Sequence, residues 1–129
     1  MVKIVIVEDN EMNMRLFSDL LQVRGYRVAE CLDATKAVAL VRKEKPDLIL
    51  MDIQLPEISG LTLIERIRRL PAFRKTPIVA ISAFVMPAEE RAILNSGCDA
   101  YLSKPIDIPT FFKTIAGFAP PPARAAAKG

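Results

Sequence analysis

The 129-residue chain contains no histidine. That absence excludes His-ligated zinc, Ser-His-Asp triads and any mechanism that shuttles protons through an imidazole. Cysteine is scarce: Cys31 and Cys98 lie far apart, without metal-ligand spacing. Both read as small core residues in a reduced, cytoplasmic setting. No apolar run approaches the ~20 residues of a membrane-spanning helix, and Met1–Glu8 is too short for a signal peptide, so membrane insertion is not expected. Neither G-x-G-x-x-G nor a P-loop is present, which argues against nucleotide binding.

A large excess of either charge is also lacking. The net charge is +3, and two of the basic residues, Arg124 and Lys128, belong to an acid-free C-terminal stretch. The body is nearly neutral, and nothing in it calls for nucleic acid. Arg66, Arg68, Arg69, Arg74 and Lys75 form one local basic cluster, read as a solvated helix face and loop in preference to a docking patch. What remains is ordinary for one soluble domain: 51% hydrophobic and 26% charged residues.

Short apolar runs alternate with amphipathic stretches. KIVIV (3–7), the weaker Tyr26–Glu30, LILMD (48–52), PIVAIS (77–82) and Ala100–Ser103 read as strands. Asn10 caps a first helix with Leu16, Phe17, Leu20 and Leu21 on one side, ending at Gly25. The second helix, about 34–44, turns Ala37, Leu40 and Val41 inward. A third carries Leu63, Ile64, Ile67 and Leu70, a fourth opens at Pro87 and closes at Gly97, and a fifth is lined by Phe111, Phe112, Ile115 and Phe118. Five strand–helix units in succession predict an α/β fold, a five-stranded doubly wound parallel sheet of order 2-1-3-4-5. Residues 1–118 are read as the domain, and 119–129 (APPPARAAAKG) as a flexible Pro/Ala-rich tail outside its core.

Ligands of such sheets bind beyond the carboxyl ends of the strands. Strand 1 ends in Glu8-Asp9, strand 3 in Asp52, strand 4 in Ser82, and strand 5 leads to Lys104. Three carboxylates in one cleft repel, each pair by on the order of 4 kcal/mol at ~4 Å and an effective dielectric of about 20. One lysine cannot offset that. An all-oxygen donor set selects a hard cation such as Mg²⁺. A hard ion beside a carboxylate, a lysine and a hydroxyl makes a phosphoryl site with Asp52 as nucleophile. Singly, each residue has a plainer role: Asp9 starting its helix, Ser82 ending a strand, Lys104-Pro105 forming a turn. Found at successive strand ends, they favour the joint functional reading.

VEDNEMN (7–13), LILMDIQLPEISG (48–60), VAISAF (79–84) and AYLSKPI (100–106) together resemble the receiver domain of two-component response regulators across residues 2–118. The wording is most similar to DivK-type single-domain cell-cycle regulators, and also to receivers at the ends of hybrid histidine kinases. The resemblance implies the flavodoxin-like, CheY-like form of the fold. It also implies a signalling phosphoprotein in place of an enzyme, with Mg²⁺-dependent self-phosphorylation and slow self-dephosphorylation as its only reactions. By resemblance, Asp52 is the phosphoacceptor, and Asp9, Asp52 and the backbone carbonyl of Gln54 bind Mg²⁺, with Glu8 supporting the ion. Ser82 and Lys104 contact the phosphoryl group, Tyr101 is the aromatic switch residue, and Lys104–Pro105 is cis.

Gln54 and Phe84 fall at the family's variable sites that tune dephosphorylation. Phe84 cannot hydrogen-bond an attacking water, hence the slow self-dephosphorylation; a loop residue packing on helix 4 is the plainer reading of that side chain. The implied partners are a histidine kinase or histidine phosphotransfer protein and a downstream protein target. The first docks near Met14, Arg15, Ile106 and Asp107, with ordinary packing the plainer reading of Met14, and the target is reached through the face of helix 4, strand 5 and helix 5. A monomer or weak dimer is expected. Two rivals stay open. A haloacid-dehalogenase-type phosphatase also uses an Asp after a strand, but it requires D-x-D where this chain has Asp52-Ile53-Gln54. A degenerate receiver would bind partners independently of phosphate.

Overall fold

Side-chain parity along the strands divides the interior into two layers. Ile4, Ile6, Leu48, Leu50, Val79 and Ile81 face one side of the sheet, and Val5, Val7, Ile49, Met51, Ile78 and Ala80 the other. Strands buried on both faces need no polar alternation, which is why KIVIV, LILMD and IVAIS are continuous apolar runs. The computed structural model describes residues 2–83 and 86–121. Its strands are β1 (Lys3–Val7), β2 (Arg27–Cys31), β3 (Leu48–Asp52), β4 (Ile78–Ser82) and β5 (Ala100–Ser103), all parallel, in the order 2-1-3-4-5. The helices are α1 (Glu11–Val23), α2 (Ala37–Glu44), α3 (Gly60–Arg69), α4 (Pro87–Asn95) and α5 (Ile108–Phe118). The predicted fold class is thus the observed one.

One layer is closed by α1 and α5, where Phe17 stacks on Phe111 at 5.8 Å between ring centroids, beside Leu21 and Ile115. The other is closed by α2, α3 and α4 through Ala37, Val41, Leu63, Ile64, Ile67 and Ile93. Asn10 caps α1 by accepting from the Asn13 N–H at 2.9 Å. Strand β2 begins one residue later than expected, because Tyr26 is buried instead against the α1–α5 layer, with its hydroxyl donating to the Ala119 carbonyl. Ala119, the first residue of the stretch read as tail, is itself buried. Residues 122–129 lie outside the described residues, as does Phe84.

Some side chains depart from the sequence reading. Leu16, expected inward, is exposed, and with Met12 (82% exposed) and Val23 it forms an apolar stripe on the outer side of α1. Met14, grouped with a docking face but with packing as its plainer role, is 2% exposed and packs in the α1–α5 layer. Cys31 is buried and Cys98 half-buried, and desolvation holds both thiols above the ordinary range, which suits packing and not redox chemistry.

Arg68 is not part of a solvated face. Its Nε donates to the Gly97 carbonyl at 2.9 Å, and Nη1 donates to the carbonyls of Phe73 and Thr76. Nη2 pairs with Asp99 Oδ2 at 2.8 Å. Asp99 Oδ2 also accepts from the Ile78 N–H at 2.8 Å. This fork fastens the end of α3 to the starts of β4 and β5, while Arg66, Arg69, Arg74 and Lys75 stay exposed. Arg68→Ala strands three carbonyls and is expected to cost about 3 kcal/mol in urea unfolding. Arg68→Lys is expected to recover less than half of that, since an ammonium cannot reproduce the planar fork. An Arg68→Ala unfolding midpoint equal to wild type would show the fork to be unimportant.

Candidate functional site

Sheet register delivers the polar residues to one rim. Val7 pairs with Met51 and Asp52 with Ile81, while Ser82 lies beside Ser103. Residues just past each strand therefore come side by side. The Glu8 N–H donates to the Cys31 carbonyl at 3.0 Å and the Lys104 N–H to the Ser82 carbonyl at 2.9 Å, so both remain tied to the sheet. The Lys104–Pro105 bond is cis.

Asp52 and Glu8 are deeply buried, at 2% and 1% exposure. Lys104 Nζ lies 3.0 Å from Asp52 Oδ2 and 3.2 Å from Glu8 Oε1. Asp52 Oδ1 accepts from the Gln54 N–H at 3.0 Å, and Glu8 Oε2 from the Asn10 N–H at 3.0 Å. Asp9 is exposed and does not cap α1, since Asn10 does. Carboxylate oxygens of Glu8, Asp9 and Asp52 lie within 4.8 Å of one another. Ser82 is fully buried beside the cluster, and its hydroxyl accepts from Gln54 Nε2 at 2.7 Å. Gln54 Oε1 in turn accepts from the Ala83 N–H at 2.9 Å. Tyr101 is half-buried on β5, and its hydroxyl meets the Glu90 carboxylate of α4, which pushes it above the ordinary phenol range. Asp107, grouped in the sequence with a docking face, caps α5 by accepting from the Thr110 N–H.

The electrostatics follow from this crowding. Burial is the main cause that lifts the Glu8 carboxyl from 4.5 to about 7. The Asn10 N–H holds it down, Asp52 pushes it up by hydrogen bond and charge, and Lys104 draws it down. Burial works against the charge on Lys104, but Asp52 and then Glu8 outweigh it, leaving the ammonium above its usual range. A carboxyl whose pKa is higher folded than unfolded stabilises the fold fully below the unfolded value. Glu8 therefore contributes stability near pH 4 that is lost as pH rises from about 4.5 to about 7. Urea unfolding in EDTA is expected to show stability falling through that window, and Glu8→Gln is expected to flatten the fall. Equal slopes for the two chains would remove Glu8 as the cause.

The donor set fits a hard divalent cation on two counts. All the candidate ligand atoms are oxygens, and Glu8 Oε1 is buried without a hydrogen bond of good geometry even though Lys104 is near. A dehalogenase-type mechanism finds no support. Where it needs a second carboxylate this chain has Gln54, whose amide is engaged with Ser82 and Ala83. Neither that engagement nor the part of Ala83 was visible in the sequence, where an Asp followed two residues later by a polar side chain was the only signal.

The response regulator receiver domain model matches residues 4–116. Polar-differentiation response regulators DivK from Brucella anthropi and Brucella ovis are each 45% identical over 115 residues, 89% of this chain and 94% of theirs. Among solved structures, the receiver domain of a sensor histidine kinase from Pseudomonas aeruginosa PAO1, with magnesium coordinated in its active-site cleft, is 30% identical with a TM-score of 0.84. The match covers 91% of this chain and 96% of that one. Chemotaxis protein CheY4 of Vibrio cholerae is 26% identical with a TM-score of 0.86, over 92% and 98% of the two chains. A match across nearly the whole domain, on the same fold and with the acidic cleft in place, makes this chain a DivK-like member of the response regulator receiver family of two-component signalling.

Proposed function

We propose that the protein is a phosphorylation-controlled switch that takes a phosphoryl group on Asp52 from a partner histidine and changes protein contacts in response. The observation that carries this reading is the buried Asp52 carboxylate, 3.0 Å from Lys104 Nζ and clustered with Glu8 and Asp9. An Asp52 oxygen bonds to phosphorus as the P–N bond to the donor histidine breaks, and the leaving imidazole keeps the electron pair and takes a proton. Asp9, Asp52 and the Gln54 backbone carbonyl would hold Mg²⁺, with Glu8 supporting it. When bound, the ion neutralises the carboxylates and draws charge from the phosphoryl oxygens. Lys104 balances charge on the side facing Asp52, and the Ser82 hydroxyl donates to a phosphoryl oxygen. The tuning of dephosphorylation by Gln54 and Phe84 belongs to the same reading.

Phosphorylation replaces the single charge of the Asp52 carboxylate with the close to two negative charges of a phosphoryl group beside Lys104. Tyr101, held at α4 by Glu90, carries that change to the face of α4, β5 and α5, where a downstream protein binds. The kinase or phosphotransfer partner docks on α1, with exposed Met12, Arg15 and Leu16 taking the place of buried Met14, and on the turn at Ile106. The domain works in the cytoplasm as a monomer or weak dimer. No helix among the described residues is long and apolar enough to cross a membrane.

Acetyl phosphate with Mg²⁺, read by intact mass, is expected to add one phosphoryl group, and EDTA to prevent it. Beryllofluoride with Mg²⁺ is expected to shift amide resonances of Tyr101 and of α4 and α5. Shifts confined to the surroundings of Asp52 would leave a phosphoacceptor without a switch.

A further inference from the structure

Gln54 stands in an unusual position for a surface residue. Its side chain is exposed, yet both ends of its amide are engaged across the cleft mouth: Nε2 with the buried Ser82 hydroxyl at 2.7 Å, Oε1 with the Ala83 N–H at 2.9 Å. The orientation of the amide is fixed by the chemistry of its partners. A backbone N–H can only donate, so the atom facing Ala83 is the carbonyl oxygen and the atom facing Ser82 is the NH₂. Its own backbone N–H donates to Asp52 Oδ1 at 3.0 Å, which plants the base of the side chain beside the acceptor carboxylate. Asp52 pairs in register with Ile81, so Ser82 and Ala83 follow at the end of the neighbouring strand, on the side where oxygens of a group joined to Asp52 would seek donors.

We infer that the Gln54 amide is a latch over the acceptor pocket. Its Oε1 occupies the Ala83 N–H in the unphosphorylated protein, braced by the bond from Nε2 to the Ser82 oxygen, and the amide must swing out before a phosphoryl oxygen can accept from that N–H. The inference rests on reading Asp52 as the phosphoacceptor. It makes Gln54 a positioning residue that sets how often the pocket is open, separate from any role of its backbone carbonyl. Exposure suits that role, since an amide at the cleft mouth exchanges its two partners for water without moving the backbone.

Two neutral hydrogen bonds at ordinary net strength bias the closed form by on the order of tenfold, and the apparent rate scales with the open fraction. The step read out is attack of an Asp52 oxygen on the phosphorus of acetyl phosphate, forming the acyl phosphate as acetate leaves with the electron pair. Gln54→Ala and Gln54→Met are compared with wild type under Mg²⁺, with the labelled residue located by mass spectrometry and Ala83 amide exchange followed by NMR. Methionine keeps the length of the side chain and removes both hydrogen bonds.

Both variants are expected to label Asp52 about tenfold faster than wild type, with faster exchange at Ala83. Rates equal to or below wild type overturn the latch, while labelling of wild type keeps Asp52 as the acceptor. Acceleration in Gln54→Ala alone overturns it as well, because bulk and not hydrogen bonding would then be the obstacle. Unchanged Ala83 exchange in both variants overturns it too. Absence of labelling in all three chains overturns the acceptor reading, and the latch with it.

Discussion

Asp52→Asn is expected to take up no phosphoryl group from acetyl phosphate under conditions where wild type gains one. The substitution is nearly isosteric, and the environment explains both why the chemistry stops and why the fold survives. Asp52 Oδ1 accepts from the Gln54 N–H, and an asparagine oxygen can do the same. Oδ2 faces Lys104 Nζ at 3.0 Å, and there an NH₂ meets an ammonium. Lys104 then keeps Glu8, at 3.2 Å, as its counter-charge. Relief of repulsion among Glu8, Asp9 and residue 52 works in the opposite direction from the lost ion pair, so the net change in stability is small. The lost nucleophile is not small. Deleting a covalent nucleophile lowers rates by on the order of 10⁴-fold or more, and no other carboxylate replaces Asp52: Glu8 is buried with one oxygen held by Asn10, and Asp9 is exposed at the rim. Equal phosphoryl uptake by the two chains, or uptake at another residue, would remove Asp52 from the acceptor role.

The residues that sequence reading placed best are those whose position follows from strand ends alone. Asp52 closes LILM, Glu8 and Asp9 close KIVIV, and Lys104 follows the last strand, so the sheet itself brings them together whatever the loops do. What the sequence concealed depends on contacts made across elements. Arg68 belongs to a run of basic residues that resembles a solvated face. It turns inward because the carbonyls of Phe73, Thr76 and Gly97 and the Asp99 carboxylate need a donor where α3 meets β4 and β5, and none of that is local.

Leu16 lies outside the core and Met14 inside it for a related reason. Helical spacing puts both near the apolar side of α1, and only the packing of Phe17 and Leu21 against Phe111 decides which of them is covered. The burial of Glu8 was equally hidden. A carboxylate at the end of an apolar strand reads as the first solvated residue, whereas its N–H continues the pairing with β2 and keeps it inside the sheet.

Gly60→Ala is expected to be severely damaging for a single added methyl, and it links the fold to the site. Read from sequence, Gly60 only marks the loop before α3. In the structure it is the first residue of α3, its N–H donates to the Ile53 carbonyl at 3.1 Å, and its α-carbon is pressed against the end of β3. A Cβ there would stand 2.1 Å from the Asp52 carbonyl oxygen and 2.8 Å from the Ile53 Cα. Both are backbone atoms of the strand that carries the acceptor, so no side-chain rotation relieves the overlap. Either α3 lifts from Leu63, Ile64 and Ile67's places in the core, or β3 shifts and takes Asp52 with it. Overpacking of this kind costs about 3 kcal/mol, and at this chain length that lowers the midpoint of thermal unfolding by roughly 10 °C.

Phosphoryl uptake is expected to fall with it, measured well below the new midpoint so that unfolding does not account for the loss. Gly117→Ala supplies the contrast, since a Cβ at that position in α5 meets no atom within 4 Å. There the same methyl group is expected to stabilise the protein by about 1 kcal/mol through helix propensity and to leave phosphoryl uptake unchanged. If the two alanines proved equally harmless, the close approach of α3 to the Asp52 backbone would not constrain the site. Damage at position 60 alone would mean that the acceptor is aimed by a backbone contact that only glycine permits.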